Sequence, residues 1–238
     1  MPEDWKVTPY TPTAKTWPYK PADFTRQDES PDSTFYKDAK IVTHIDDNAI
    51  KAISRYYDAI LPKPEDSAAD GKVRILDFCS SWVSHYPARI EQGLKDGTVQ
   101  VVGMGMNVRE LERNPILSER IVQDLNTNPT IPKQSPLIDA STCVVSIDYL
   151  TKPLEVLSSL RANTVTGGTV HLAISNRAFW HKVVRAWLMR SEEKRLEMVC
   201  DYLWFSGWRE VEIVEVVKKG DGAGDPVWVI RGKNLGVV

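Results

Sequence analysis

The pattern of apolar and polar positions divides the chain into three stretches. From residue 72 onward, short apolar runs alternate with segments of helical spacing. Val73–Phe78 is an apolar run bounded by polar residues, the signature of a buried strand, and residues 99–104, 121–122, 142–147 and 169–174 repeat it. Between these runs, residues 86–95, Val108–Arg113 and Pro153–Ala162 read as helices, the last with Leu154, Leu157 and Leu160 inward. Gly167-Gly168 reads as a turn before the fifth run. Trp180, Val183, Val184, Trp187 and Leu188 fall at i, i+3, i+4, i+7 and i+8, which predicts an amphipathic helix. A further helix over residues 192–205 ends at Gly207 as C-cap. Two β-rich runs, 209–217 and 227–231, have no helix between them and so pair as an antiparallel hairpin. The alternation predicts an α/β fold, a three-layer α/β/α sandwich with helices on both faces of a largely parallel sheet.

Upstream the pattern changes. Residues 1–34 carry prolines at 2, 9, 12, 18, 21 and 31 and few aliphatics, which excludes a helix or an inner strand. Trp5, Tyr10, Trp17, Tyr19 and Phe24 are costly to leave in water, so this arm either lies extended over the domain or stays disordered. In residues 35–71, Asp46-Asp47-Asn48 opens a helix that continues through Ile50, Ile53, Tyr57, Ile60 and Leu61 until Pro62 and Pro64 stop it. A polar linker, 63–71, follows. The expected organisation is an arm (1–34), a helical lid and linker (35–71) and an α/β domain (72–238).

Composition narrows the function classes. Among 238 residues, 30 Lys plus Arg against 32 Asp plus Glu give a net charge of −2, which argues against nucleic-acid binding through bulk positive charge. Hydrophobic residues at 42% supply a core. No apolar run approaches the ~18 residues of a membrane span, and the first residues lack the layout of a signal peptide. Cys79, Cys143 and Cys200 show neither metal-ligand spacing nor an even disulfide framework, so no metal site and a reducing, cytoplasmic setting are expected. The tryptophans, eight in all, are unusually many.

In an open parallel sheet, ligands bind beyond the carboxyl ends of the strands, which selects the residues following each run. The first run ends Ile75-Leu76-Asp77-Phe78-Cys79-Ser80-Ser81-Trp82. An apolar strand, an acid and a turn of small residues resemble the opening motif of the class I S-adenosylmethionine-dependent methyltransferases. Cys79, Ser80 and Ser81 replace the family's glycines, and Trp82 is a large intrusion. The resemblance covers roughly residues 72–232. It implies a seven-stranded mixed sheet in the order 3-2-1-4-5-7-6 with the last strand antiparallel, and S-adenosyl-L-methionine as cofactor. It further implies cofactor contacts from Asp77, Cys79, Ser80 and Ser81. From Val102-Gly103-Met104-Gly105-Met106-Asn107 it adds Gly103, Met104 and Asn107, with Asn107 where the family places an acid for the ribose hydroxyls. Asp124-Leu125 resembles the adenine clamp, although Asp also caps turns. Ser146 joins this set, and Asp148 and Tyr149 fall on the substrate side.

His44, just before the lid helix, and His85, after the cofactor turn, are candidate bases, although a lone His is more often structural. His171, inside a strand, reads as structural, and His181 as exposed. The catalytic set expected is His44, Asp148 and Tyr149. The substrate set is Trp82, His85, Asn176, Arg177 and Trp180, with Arg177 either meeting an anion or forming a surface ion pair. Gly220-Asp221-Gly222-Ala223-Gly224 has no following helix and reads as a hairpin tip rather than a phosphate loop. The function expected is methyl transfer to a small molecule or peptide, without nucleic-acid or membrane partners and with a homodimer left open. The alternatives are a non-catalytic binding or scaffold protein of the same fold, in which Trp82 fills the cofactor space, and a nicotinamide-type cofactor, disfavoured by the lack of G-x-G-x-x-G.

Overall fold

Alternating burial in Val73–Phe78 (β2) sends Val73 and Ile75 to one face of a sheet and Leu76 and Phe78 to the other, and all six residues of the strand are buried. The computed structural model describes residues 5–66, 71–220 and 224–236; linker residues 67–70 and hairpin-tip residues 221–223 lie outside it. β2 runs parallel to β3 (Val99–Gly105) on one side and β5 (Ile138–Val144) on the other. β3 pairs in parallel with β4 (Glu119–Val122), and β5 with β6 (Thr164–Ser175). β8 (Val227–Lys233) is antiparallel to both β6 and β7 (Arg209–Val217), completing the expected hairpin.

The sheet has eight strands among the described residues, not seven, because the arm contributes one. β1 (Lys6–Pro9) pairs antiparallel with β7, and the full order is β1-β7-β8-β6-β5-β2-β3-β4. An edge position tolerates Pro9, whose missing N–H would break an inner ladder.

Helices cover both faces. α5 (Pro153–Ala162) and α7 (Glu192–Phe205) pack with Leu76, Phe78 and Leu172 on one. α2 (Asp47–Ile60), α3 (Ala88–Lys95) and α4 (Val108–Arg113) cover the other. The Asp46 carboxylate accepts from the Ala49 N–H, 2.8 Å away, and starts α2 as the sequence reads. Gly207, at φ +94°, ends α7, and the Trp208 N–H returns to the Leu203 carbonyl.

Three local readings need correction. The fourth run is strand only to Val144, and Ile147 lies in a 3-10 turn with Asp148 and Tyr149. Gly167-Gly168 does not separate turn from strand, because β6 continues through both and Gly167 N–H bonds the Asn234 carbonyl. The helix expected over 180–188 shrinks to α6 (Arg185–Leu188). Here the arm competes for the backbone. Val184 bridges Arg26, and Arg185 N–H donates to the Thr25 carbonyl at 2.7 Å.

The arm lies over the domain in the described residues. Trp17 packs with Tyr19, Phe24, Tyr202 and Phe205 at centroid distances of 4.8–6.0 Å. Tyr10 and Tyr19 donate their hydroxyls to the two oxygens of Asp201, at 2.6 and 2.8 Å. Trp5 packs on Tyr56 of α2. After these contacts, α1 (Asp32–Phe35) leads the chain toward the carboxyl ends of β2–β5.

Candidate active site

β2 ends at Phe78, and Cys79 turns the chain with φ +55°, the left-handed conformation that glycine adopts without strain. The turn then crosses the end of β3, where Ser80 N–H donates to the Met104 carbonyl at 2.7 Å. A Cβ on Gly105 would collide with the Ser80 carbonyl, so a glycine remains where the two loops cross. Val145, beyond β5, also has a positive φ of +42°, an outlier for a β-branched residue. Cys79 and Val145, two of the three non-glycine residues of positive φ among the described residues, border one cleft, which holds about 1020 Å³ of space unfilled by atoms, its open mouth included; the third, Glu210, lies in the 209–217 strand. Strain concentrated beside a cleft is a mark of a functional site.

The floor is polar and ordered. Asp77 accepts from the Ser80 hydroxyl (2.5 Å) and the Thr142 hydroxyl (3.0 Å), and burial pushes its carboxyl up to about 6 against those bonds. Glu110 accepts from the Ser81 hydroxyl (2.7 Å) and the Lys40 N–H (2.6 Å), and also lines the cleft. The sequence reading missed it. The Asn107-x-x-Glu110 spacing resembles a capping box, yet Glu110 serves the tertiary site instead. Asp32 from the arm and Tyr36 from the start of the lid roof the cleft and were missed for the same reason, since no local pattern points either segment at a strand end. Asp32 is held by both oxygens to Arg26 (2.8 Å) and lies 3.4 Å from the buried Lys182.

Among the expected residues, Asp77, Cys79, Ser80, Ser81, Met104, Asp124, Leu125, Ser146, Tyr149, His44 and His85 meet at this cleft. His44 stands edge-on to Phe179 at 5.3 Å, and burial lowers its pKa from the ordinary value. His85 is depressed to about 4, by burial first and by the neighbouring His44 second, so it is neutral at neutral pH. Tyr149 accepts the Phe179 N–H on its hydroxyl at 2.7 Å. Asp124 lines the cleft and also accepts from Asn126 N–H and the Thr127 hydroxyl, capping the turn that follows it.

The other expected residues lie elsewhere. Gly103 sits inside the sheet, where Leu117 packs against it. Asn107 caps α4 through Arg109 N–H and donates to the Tyr36 carbonyl, so its amide is committed to local structure. Asp148 tucks beneath the cleft, 3% exposed, with Oδ2 unpartnered among the described residues. Trp82 turns away from the strand ends and donates its indole N–H to the Val42 carbonyl, because the lid offers that partner outside the cleft. Asn176 is exposed, Arg177 forms a surface pair with Asp225 (2.9 Å), and Trp180 is half exposed beside Arg195. These three miss the cleft because the segment after β6 follows the arm rather than forming a helix. His171 is structural, buried between the Tyr56 and Thr169 hydroxyls at 3.0 and 2.9 Å.

No family model and no curated protein matches the sequence. Solved structures do. The S-adenosylmethionine-dependent methyltransferase of Mesorhizobium loti aligns over 76% of this chain and 97% of its own, with 15% identity and a TM-score of 0.52. That of Archaeoglobus fulgidus covers 77% and 92%, with 14% identity and a TM-score of 0.51. The fold is that of the class I methyltransferases. The cyclase SpnF aligns too, at 12% identity, 76% and 80% coverage and a TM-score of 0.50, so this fold also carries other chemistry. On the methyltransferase fold, the cleft of this chain occupies the carboxyl ends of β2, β3 and β5. Among the described residues no helix is long and apolar enough to cross a membrane.

Proposed function

We propose that the protein binds S-adenosyl-L-methionine in this cleft and transfers its methyl group to a small-molecule or peptide acceptor. The observation that carries the reading is the open cleft itself. Its position follows the strand-end rule, and Trp82, the side chain able to fill it, points outward to Val42. A scaffold protein that had lost its ligand space would have that indole inside.

The residues present fit the cofactor. In the turn Cys79-Ser80-Ser81 both serine hydroxyls donate to Asp77 and Glu110 and the Ser80 N–H to the Met104 carbonyl, so the turn meets a carboxylate through its remaining backbone N–H groups. Glu110 takes the place of the missing strand-end acid as acceptor for ribose hydroxyls, and Asp124 with Leu125 meets the adenine. The cofactor supplies a methyl group on a sulfonium, which an acceptor's lone pair takes by in-line displacement. The chain's part is to position the acceptor, exclude water and hold its proton. Tyr36 and His44 close the cleft from the lid side, and the His44 imidazole is the group placed to receive a proton, His85 being held too low, at about 4, to keep one at neutral pH.

Titration calorimetry with S-adenosylmethionine and S-adenosylhomocysteine tests this. Both bind, and Glu110→Gln and Asp124→Ala each weaken binding about fivefold or more, the scale of one hydrogen bond. Absence of binding at millimolar ligand refutes the reading. Unchanged affinity in a variant removes that residue's role.

A further inference from the structure

We infer that the acceptor is a small amine taken up as its ammonium cation, and that the aromatic end of the cleft, lined by Tyr36, His44 and Tyr149, selects it over carboxylates and phosphates. This rests on the methyl-transfer reading and names the substrate class for the same site.

The first observation is the charge of the lining. No lysine or arginine faces the cleft among the described residues. Neighbouring cations are engaged behind the lining: Arg26 and Lys182 on Asp32, Lys40 on the Phe35 ring, and Arg177 on Asp225. An anionic acceptor would leave water with no cation in the lining to meet it. Glu110 and Asp124, by contrast, line the cofactor end without an ion pair among the described residues.

The second observation is aromatic. Tyr149, His44 and Phe35 all contact Phe179, at centroid distances of 6.2, 5.3 and 5.4 Å, and Tyr36 adjoins Phe35 at 4.9 Å. Ring faces attract ammonium groups. This wall already holds two of the protein's own, Lys40 Nζ at 4.6 Å and Lys182 Nζ at 5.6 Å from the Phe35 centroid. Of these rings, Tyr36, His44 and Tyr149 line the cleft, backed by Phe35 and Phe179, and present the same chemistry to a ligand.

An ammonium group has no lone pair until it loses a proton. His44 and His85 border the same end of the cleft as Tyr149. One N–H bond of the ammonium breaks, its electron pair stays on nitrogen as the lone pair, and the proton passes through the His44 imidazole to solvent at the open mouth of the cleft.

The experiment titrates the full chain with amines and with carboxylates on the same rings: tyramine against 4-hydroxyphenylacetate, histamine against imidazole-4-acetate, tryptamine against indole-3-acetate. Each is measured with and without S-adenosylhomocysteine. At least one amine binds about tenfold tighter than its carboxylate. Tyr149→Leu weakens that amine about fivefold while S-adenosylhomocysteine binding, which reports the fold, is retained. Carboxylates binding as tightly as amines, or no amine binding, overturns the inference. If S-adenosylhomocysteine binds in that case, methyl transfer stands without the amine. Amine selectivity without S-adenosylhomocysteine binding supports the selectivity and refutes the cofactor reading.

Discussion

Asp148 shows how a single residue can be placed at a strand end and still be withheld from the cleft. The 3-10 turn after β5 folds its carbonyl against Val184 N–H at 3.0 Å, and the side chain is buried with Oδ2 unpartnered. Burial pushes the carboxyl from 3.8 up to about 7. A carboxyl raised on folding favours the protonated folded state, so its stabilising contribution is complete below about 4 and is lost as pH rises through about 7. Asp148→Asn removes that loss. In urea unfolding, the variant's stability relative to wild type rises from pH 4 to pH 8; a difference flat with pH would contradict this account. Asp77, pushed up to about 6, has the same sign but keeps two hydroxyl donors. The acids at the strand ends were legible in the sequence, but their environments were not. Glu110 lines the cleft and Asp148 does not, because burial and hydrogen-bond partners come from segments distant along the chain.

At the scale of elements, Lys182 decides the segment after β6. Its ammonium, 1% exposed as a residue, reaches the Ser30 carbonyl (2.8 Å), the Asp28 carboxylate (3.1 Å) and Asp32 (3.4 Å). The apolar spacing of Trp180 to Leu188 favours a helix, but a helix would withdraw Lys182 from this cluster and Val184 from its bridge to Arg26. Tertiary partners override a local periodicity of about two turns. Lys182→Met strands the Asp28–Asp32 carboxylates. It should cost about 3 kcal/mol of stability, as breaking a buried pair does, and raise amide exchange across residues 25–36. An unchanged urea midpoint would show that Arg26 alone holds the arm. The long α2, α5 and α7 formed where their caps and periodicity put them, because each carries its own start and stop and a complete apolar face.

Across the whole molecule, the arm joins the edge of the sheet to the mouth of the cleft. β1 covers β7, the Trp17 cluster covers Tyr202 and Phe205, and Asp32 and Tyr36 line the cleft. A chain lacking residues 1–19 uncovers a strand edge and an aromatic patch together. It should melt at a lower temperature and self-associate in sedimentation velocity. A monomer with an unchanged melting temperature would mean that the arm contributes little to the fold.

The sequence by itself determined the α/β alternation, the closing hairpin, the two-faced core and the strand ends that bear the cleft. Those features rest on periodicity, caps and turns, which act over a few residues. Only the tertiary structure decided that the arm adds an eighth strand, that Trp82 leaves the cleft, and that Glu110 enters it while Asp148 does not. These depend on competition among partners many residues apart, Val42 for Trp82 and Lys40 with Ser81 for Glu110. Local spacing carries no record of that competition.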